Sequence, residues 1–324
     1  MNPAMNLRIG SRGSQLALWQ ANHIAGLLRA QGHTVEIEVI KTTGDRLQEA
    51  TFAEVGSKGM FTKEIEEALA AGRIDLAVHS LKDLPVELPE PFVIAATPTR
   101  ADPRDVLVSV KFTNLAALPR HAKIGTSSLR RRAQLKALRP DLKALEFRGN
   151  VDTRLAKLAD GKVDAILLAA AGLERLGKTD WLREKLEPRD FCPAPGQGAL
   201  AIETRKDDAA TIEAVLFLDH ADTRFAVTAE RAALAALGGG CQVPIGIHCR
   251  REYSDDATGG GWNEIYGVVA SPKTGAVVRV HLHAPHEKTD RPKALGDMAA
   301  AMLLDSGADR LLAALTEEGA GGAA

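Results

Sequence analysis

Short apolar runs alternate with stretches of helical periodicity along most of the chain. The runs are bounded by polar or glycine-rich turns, which is typical of strands buried in a sheet. We predict strands at residues 7–9, 35–40, 76–78, 122–124, 165–168 and 199–202. Helices are predicted at residues 14–31, 63–71, 128–138 and 151–160. Regular alternation of strands and helices predicts an α/β fold.

The C-terminal part of the chain has a different pattern. Residues 222–237 are rich in alanine, carry apolar residues at helical spacing, and lead into Gly238-Gly239-Gly240. A strand-like stretch follows at residues 265–280, and residues 292–315 return to the helical period. This order predicts a separate, smaller α+β domain.

Two short segments occur twice, in the same order. Ile9-Gly10-Ser11 and Ile124-Gly125-Thr126 each precede a polar turn and a helix, and residues 72–78 resemble residues 161–167. Repeats in fixed order indicate a duplicated α/β lobe, with chance similarity between βα units as the alternative. Proline-rich stretches at 85–91 and 98–103 predict the crossing into the second lobe, and residues 188–195 predict the return. A ligand is then expected between the lobes.

Composition and charge disfavour several classes of protein. The chain has 324 residues and a net charge of −1, which disfavours a basic nucleic-acid-binding protein. Three cysteines cannot all pair within one chain, so a reducing compartment is expected. The N-terminus lacks a secretory signal pattern, and glycines and Pro244 interrupt the longest uncharged stretch. We therefore expect a cytoplasmic protein without a membrane partner.

One segment departs strongly from this neutrality. Residues 123–154 contain nine basic and three acidic residues. A solvated helix face is the simplest explanation, and a single-stranded nucleic-acid site would need more aromatic residues than Phe147. Because arginine predominates, the segment favours recognition of carboxylate or phosphate groups. The prediction is a small polyanionic ligand and no nucleic acid.

The predicted starts of the two repeated helices carry hydroxyl side chains, at Ser11, Ser14, Thr126, Ser127 and Ser128. Helix N-termini bind anions through free N–H groups and the helix dipole. The alternative is that these residues only cap their helices, which is the commoner role. Arg12 and Arg130 lie close to these positions and favour the anion site.

Two further residues are candidates for chemistry. Asp83 follows a predicted strand, where catalytic groups of α/β folds gather. It either forms a surface ion pair with Lys82 or acts as a catalytic carboxylate. His79 is predicted to be a packed core histidine. Cys241 follows the glycine triplet, so its thiol is either accessible for covalent chemistry or an inert buried group. The spacing of Cys241 and Cys249 does not predict a zinc site.

Taken together, these segments resemble the porphobilinogen deaminase (hydroxymethylbilane synthase) family. They occur in family order from about residue 8 to residue 246. The matching segments are Arg8-Ile9-Gly10-Ser11-Arg12, Gly56-Ser57-Lys58-Gly59-Met60-Phe61, Ala77-Val78-His79-Ser80-Leu81-Lys82-Asp83, Gly125-Thr126-Ser127-Ser128-Leu129-Arg130-Arg131, Arg148-Gly149-Asn150-Val151, Gly196-Gln197-Gly198 and Gly240-Cys241-Gln242-Val243-Pro244. So many spaced motifs make the resemblance very specific.

The resemblance implies the fold and the reaction. It implies two duplicated periplasmic-binding-protein-like α/β lobes around a cleft, plus a smaller α+β C-terminal domain. The predicted boundaries are residues 1–99 with 199–217, residues 104–193, and residues 220–324. The implied enzyme is a monomeric transferase of haem biosynthesis, which joins porphobilinogen molecules head to tail with loss of ammonia. Four are added to a dipyrromethane primer, and hydrolysis then releases the linear tetrapyrrole hydroxymethylbilane.

The resemblance also assigns residues. It implies that the dipyrromethane cofactor is bound through a thioether to Cys241 and that Asp83 is catalytic, stabilising the cation formed on deamination. Carboxylates of the cofactor are assigned to Lys82, Ser128, Arg130, Arg131 and Arg154. The incoming substrate is assigned to Arg12, Ser14, Arg148, Arg154, Arg175 and Lys58. No metal is expected. Glu54 departs from the family pattern, since many relatives have a basic residue there.

Two other functions remain open from the residues alone. A non-catalytic two-lobed receptor for a small anion would explain the repeats and the arginines, but not a thiol on a glycine-rich loop. A nucleic-acid-binding module would explain only the basic segment. Neither gives a reason for Asp83 and Cys241 together.

Overall fold

A computed structural model describes residues 3–43, 62–239, 243–254 and 260–321. Its strands are β1 (Asn6–Ser11), β2 (Thr34–Val39), β3 (Leu76–Ser80), β4 (Phe92–Ala96), β5 (Asp105–Val108), β6 (Lys123–Gly125), β7 (Lys143–Leu145), β8 (Ala165–Ala169), β9 (Leu182–Leu186), β10 (Leu200–Arg205), β11 (Ile245–Tyr253), β12 (Gly261–Ala270) and β13 (Val277–Pro285). Its helices are α1 (Gln15–Ala30), α2 (Lys63–Ala70), α3 (Leu129–Leu138), α4 (Val151–Ala159), α5 (Ala170–Arg175), α6 (Ala209–Val215), α7 (Ala221–Ala236), α8 (Pro292–Asp305) and α9 (Ala308–Gly321).

The first two sheets have the same topology. One is five-stranded in the order β2-β1-β3-β10-β4, and the other is five-stranded in the order β7-β6-β8-β5-β9. In each, the first three strands run parallel and the fourth is antiparallel to both of its neighbours. In each sheet, the fourth strand is also distant in sequence from the third strand, its neighbour. The predicted pair of duplicated α/β lobes is therefore confirmed at the level of strand order and direction.

The repeated segments occupy equivalent places in these sheets. Each repeat carries an aspartate at its fourth position. The carboxylate of Asp75 accepts from the backbone N–H of Arg8 at 2.8 Å, and that of Asp164 accepts from the backbone N–H of Lys123 at 2.7 Å. Both aspartates thus join the turn before the third strand to the start of the neighbouring strand. The same local contact in both sheets supports duplication over chance similarity.

Each sheet has its own apolar core. In the first, α1 packs its buried face, which includes Ile24 and Leu28, against β1 and β3. In the second, Leu107, Ile124 and Leu167 lie in one cluster. The third sheet has three antiparallel strands in the order β11-β12-β13, and α7 and α8 contribute to its core. The expected smaller α+β domain is confirmed.

Two predicted elements of this third domain were wrong in extent. The strand-like stretch at 265–280 is the end of β12, a turn, and the start of β13, with Ser271 N–H donating to Ala276 at 2.8 Å across the turn. The helical stretch at 292–315 is two helices, because Gly307 adopts a left-handed φ of 92° between them. Apolar residues keep helical spacing across Gly307, whereas the strand prediction ran through a polar turn at residues 271–275.

Internal contacts divide the chain into two compact units. Unit 1 comprises Met1–Asp102, Ala171–Lys178 and Gln197–Arg224, and contains the first sheet. Unit 2 comprises Pro103–Ala170, Thr179–Gly196 and Phe225–Ala324, and contains the other two. The three domain boundaries predicted from the sequence stay a prediction. Among the described helices, none has the length and apolarity needed to cross a membrane.

The end of β6 requires a residue without a side chain. A Cβ added at Gly125 would lie 2.6 Å from Cγ of Phe147 and 2.9 Å from Cγ2 of Ile166. Such overpacking typically costs about 1–3 kcal/mol, so we expect Gly125→Ala to lower the free energy of unfolding by this amount in urea titrations.

The control for this prediction is Gly26→Ala, inside α1. Apart from its chain neighbours and the backbone of its own helix, a Cβ there would have no heavy atom of the described chain within 4 Å. Alanine has the higher helix propensity, so this variant should gain about 0.5–1 kcal/mol. Equal stability of the Gly125→Ala variant and the unsubstituted protein would contradict the close packing at β6.

Candidate active site

A short 3₁₀ turn, Leu81–Asp83, carries two of the predicted site residues directly after β3. The N–H of Leu81 donates to the carbonyl of Ala199 at 3.0 Å, and the buried Leu81 side chain anchors the turn. Lys82 is partly buried and donates through Nζ to Oε1 of Gln197 at 3.4 Å. Asp83 is exposed, and its carboxylate has no hydrogen bond or ion pair within the described part of the chain. Of the two alternatives for Asp83, the surface ion pair with Lys82 is not formed.

His79 lies just before this turn and is buried. Its Nε2 is 2.9 Å from Oε2 of Glu203, which is also buried. Burial raises the pKa of the neighbouring Glu66 carboxyl, and the charge of Glu203 raises it further. The prediction of a packed core histidine is confirmed.

The hydroxyl groups of Ser14 and Ser128 both cap helices. Ser14 Oγ accepts from the N–H of Ala17 at 3.3 Å at the start of α1, and Ser128 Oγ accepts from the N–H of Arg131 at 3.4 Å at the start of α3. Capping uses an acceptor lone pair of each hydroxyl and leaves its proton able to donate to an anion. Arg12 is partly buried and precedes the first of these caps.

Arg175 ends α5 and belongs to unit 1 together with Arg12, Ser14, Lys82 and Asp83. Its Nη2 donates to the carbonyl of Gly198 at 2.7 Å, and its guanidinium lies 5.9 Å from the centre of the Trp19 ring. Burial lowers the pKa of Arg175 to about 10, against the opposing charge of Glu174. The group remains a cation at neutral pH, and its hydrogen bond is to a neutral carbonyl.

In unit 2, Arg130 and Arg131 project from the first turn of α3 to one buried carboxylate. Arg130 Nη1 donates to Asp105 Oδ2 at 2.6 Å and to the carbonyl of Cys192 at 2.7 Å. Arg131 donates through Nε and Nη2 to Asp105 Oδ1, at 3.0 and 2.7 Å, and through Nη1 to the carbonyl of Leu167 at 2.9 Å. Both predicted cofactor residues therefore have their positions fixed from within the protein.

Asp105 was missed by the sequence analysis. Burial by itself would raise the pKa of its carboxyl, but the charges of Arg130 and Arg131 outweigh burial and hold the pKa well below its usual value. One signal was available, because Asp105 opens an apolar strand whose other residues are valine and leucine. A charged residue in such a buried strand requires a partner of opposite charge.

Arg154 lies on α4 and carries an unsatisfied donor. Its Nε is buried and has no hydrogen-bond partner among the described residues. Burial lowers the pKa of Arg154 to about 10, and the nearby charge of Arg131 contributes to that shift. Arg148 differs, because its Nε donates to Glu146 at 2.7 Å. This region of unit 2 thus combines several guanidinium groups with few carboxylates, an arrangement suited to an anion.

Two predicted site residues, Lys58 and Cys241, lie outside the described residues, as does Glu54. The other two cysteines, Cys192 and Cys249, are buried and form no disulfide among the described residues, and burial raises the pKa of the Cys192 thiol far above its usual value. Within the described ranges, no cluster of His, Cys, Asp and Glu side chains could hold a metal ion. The placed site residues therefore form two sets, one in each unit.

Removal of the Asp105 charge should be costly. In Asp105→Asn, two buried guanidinium groups would share a neutral amide, and breaking such buried pairs typically costs about 3–5 kcal/mol of unfolding free energy. Urea titration at pH 7 would measure the loss. The control is Glu187→Gln, which removes an exposed pair with Arg104 in the same unit and should cost less than about 1 kcal/mol.

The cost should also depend on pH in a defined direction. Because the pKa of Asp105 is depressed in the folded state, its contribution is present above the unfolded pKa of about 3.9 and is lost as pH falls towards the lower folded pKa. The stability difference between the unsubstituted protein and Asp105→Asn should therefore shrink between pH 7 and pH 3. A difference that is constant over this range would contradict the paired carboxylate.

Comparisons with known proteins find two matching family models. A family model described as "Porphobilinogen deaminase, dipyromethane cofactor binding domain" matches residues 7–213, and one described as "Porphobilinogen deaminase, C-terminal domain" matches residues 224–305. Among solved structures, the methionine-binding protein MetQ aligns with 66% of this chain and 89% of its own, at 14% identity and a TM-score of 0.42. A likeness at that score carries no weight for function.

Curated relatives named porphobilinogen deaminase cover the chain more fully. The protein of Nitratidesulfovibrio vulgaris (strain DSM 19637 / Miyazaki F) is 49% identical over 95% of this chain and 96% of its own. That of Trichlorobacter lovleyi is 55% identical over 75% of this chain and 78% of its own. That of Xanthomonas axonopodis pv. citri is 46% identical over 95% of this chain and 99% of its own. Because both family models match in order and two of these relatives cover 95% of the chain, the chain belongs to the porphobilinogen deaminase family and is an enzyme.

Proposed function

We propose that the chain is a transferase that joins four porphobilinogen molecules head to tail and then releases hydroxymethylbilane by hydrolysis. In each addition a C–N bond of the substrate breaks and ammonia leaves. A C–C bond then forms to the terminal pyrrole of the growing chain, which loses a proton. Family membership supports the reaction, and the observation in the structure that supports its ligand is the unsatisfied Arg154.

Arg154 supports a polyanionic ligand because its buried Nε lacks a hydrogen-bond acceptor among the described residues. A buried guanidinium donor without an acceptor is unfavourable, and a charged group makes this cost larger. A carboxylate in that position would satisfy Nε and relieve the repulsion from Arg131. Each pyrrole of the substrate and primer carries acetate and propionate groups, which supply such acceptors. Arg130 and Arg131 support the same kind of ligand, since two buried guanidinium groups share the single carboxylate of Asp105, and Ser128 caps the helix that carries them.

The dipyrromethane cofactor fits the residues present. We assign its carboxylates to Lys82, Ser128, Arg130, Arg131 and Arg154, and its thioether to Cys241. When bound, the cofactor supplies the nucleophilic pyrrole carbon to which units are added. The chain's own residues have the complementary tasks of neutralising carboxylates and excluding bulk water from them.

Asp83 has a different task from the cations around it. Its carboxylate is exposed and has no partner in the described ranges, whereas Lys82 beside it is partly buried. Loss of ammonia leaves a cation on the substrate, which a fixed carboxylate stabilises, and the same group can accept a pyrrole proton. We assign Arg12, Ser14, Arg148, Arg154, Arg175 and Lys58 to the carboxylates of incoming porphobilinogen. A cytoplasmic location and a monomeric state stay predictions.

Asp83→Asn should nearly abolish turnover. The amide has the shape of the carboxylate but neither stabilises a cation nor accepts a proton, so we expect kcat to fall by about 10²–10⁴-fold. Porphobilinogen consumption at saturating substrate measures this, with circular dichroism to verify the fold. Glu87→Gln, at an exposed acid close to the turn, should keep normal turnover. An Asp83→Asn variant with more than about a tenth of the normal kcat would refute the catalytic role.

Intact mass under denaturing conditions tests the covalent primer. The unsubstituted chain should exceed its sequence mass by two linked pyrroles, and Cys241→Ser should lack this excess. Arg154→Gln should lower the loaded fraction, because the primer's carboxylate loses its partner. Arg132→Gln is the matched control, since Arg132 is a partly exposed arginine whose Nη1 lies 3.6 Å from Oε2 of Glu146, and it should load normally.

The same measurement separates this function from a non-catalytic anion receptor. If the isolated chain has no excess mass, incubation with porphobilinogen followed by a second weighing decides the matter. Uptake of pyrrole mass at Cys241 supports the enzyme. A chain that takes up no mass and releases no ammonia would favour the receptor and overturn the proposal.

A further inference from the structure

One buried segment of unit 1, residues 197–199, contacts two of the predicted ligand-binding cations. Oε1 of Gln197 accepts from Nζ of Lys82 at 3.4 Å, and the carbonyl of Gly198 accepts from Nη2 of Arg175 at 2.7 Å. The next carbonyl, that of Ala199, accepts from the N–H of Leu81. The segment therefore joins the turn that carries Lys82 and Asp83 to the end of α5.

The segment is itself held from its other side. Nε of Arg100 donates to the carbonyl of Gln197 at 2.9 Å, and the N–H of Ala101 donates to the carbonyl of Gly198 at 3.2 Å. Arg100 is in turn fixed by its N–H, which donates to Oγ1 of Thr223 at 3.1 Å. Because these contacts are within the protein, they fix the segment before any ligand binds.

The chemistry of the Gln197 side chain is what distinguishes it. Gln197 is 1% exposed, and its carboxamide is a neutral acceptor. A neutral acceptor directs an ammonium group without cancelling its charge, whereas a carboxylate in the same place would form an ion pair with Lys82 and compete with the ligand. The carbonyl of Gly198 acts on Arg175 in the same neutral manner.

We propose that Gln197 is a positioning residue of this enzyme, which orients the Lys82 ammonium towards a ligand carboxylate. The proposal rests on the proposed function, because it takes the primer's carboxylate as the ligand of Lys82. Gln197 touches Lys82 and acts through it. Its loss should therefore change primer loading more than the chemical step.

The test substitutes Gln197 with glutamate, which keeps the shape of the side chain and adds a charge. Intact mass gives the loaded fraction after incubation with porphobilinogen, and kcat is calculated per loaded chain. A charged hydrogen bond is typically worth about 1.5–3 kcal/mol, so we expect the rate of loading of Gln197→Glu to fall about tenfold or more. The kcat per loaded chain should stay within about threefold.

The matched control is the same substitution at Gln20, another buried glutamine of unit 1. Nε2 of Gln20 donates to Oγ of Ser80 at 2.9 Å, and that hydroxyl can instead donate to a carboxylate. Gln20→Glu therefore buries a charge away from Gln197, the side chain that accepts from Lys82, and should load at the normal rate. Equal loss of loading in both variants would show a general effect of buried charge and overturn the proposal, as would normal loading of Gln197→Glu.

A second variant covers the case in which Gln197→Glu does not fold. Gln197→Met removes the acceptor without adding charge, and the Lys82 ammonium then loses one of its contacts. Loading should fall about threefold or more with an unchanged midpoint of thermal unfolding. Normal loading of a folded Gln197→Met would refute the role of Gln197.

These outcomes are distinct from failure of the proposed function. If the unsubstituted chain takes up pyrrole mass and turns over porphobilinogen, the function holds whatever the Gln197 variants do. If it does neither, the function fails, and the premise that Lys82 binds a primer carboxylate fails with it.

Discussion

The contact between the Asp105 carboxylate and two guanidinium groups is the constraint on which the predicted cofactor site of unit 2 depends. Asp105 begins β5, and Arg130 and Arg131 begin α3, so the contact joins the sheet to the first turn of that helix. Two cations and one anion leave an excess of positive charge in a buried place. Such an excess is expensive unless an anionic ligand compensates it. The same contact that orders the arginines therefore also creates the demand for a carboxylate.

Unit 1 holds its cations in another way. Lys82 and Arg175 contact a carboxamide and a backbone carbonyl, both of which are neutral. A neutral acceptor fixes the position of a cation without supplying a counter-charge. Burial lowers the pKa of Arg175 to about 10, which leaves it protonated at neutral pH. The acid nearest in sequence, Asp83, remains exposed and has no partner in the described part of the chain. This separation of roles keeps a carboxylate available for chemistry beside cations that bind.

Much of the fold could be predicted from the sequence, because buried strands and amphipathic helices carry strong local patterns. The repeats of unit 1 and unit 2 were recognisable since each preserves the same aspartate, Asp75 or Asp164. Short strands such as β7 were not predicted, because three residues show no periodicity. The break at Gly307 was missed because apolar spacing continued across it.

The residues of the site were predictable only in part. Family motifs supplied the residues that we propose to bind the ligand. Residues that act on them, Asp105 and Gln197, could not be assigned roles, because they lie 25 and 115 residues away in sequence from the groups they contact. Contacts of that separation exist only in the folded chain.

The two duplicated sheets have the same topology but differ in the groups that contact their cations. In unit 1 the fourth strand places Leu200 opposite Ser80, and in unit 2 the equivalent pair is Asp105 opposite Ala169. The buried acid of unit 1 is instead Glu203, further along its strand, where it contacts His79. At the position of Asp105, the strand of unit 1 has Leu200, whose side chain offers no carboxylate. Backbone carbonyls and Gln197 position the cations of unit 1, whereas an acid positions those of unit 2. The same strand order therefore accommodates an exposed carboxylate in unit 1 and a surplus of arginine in unit 2.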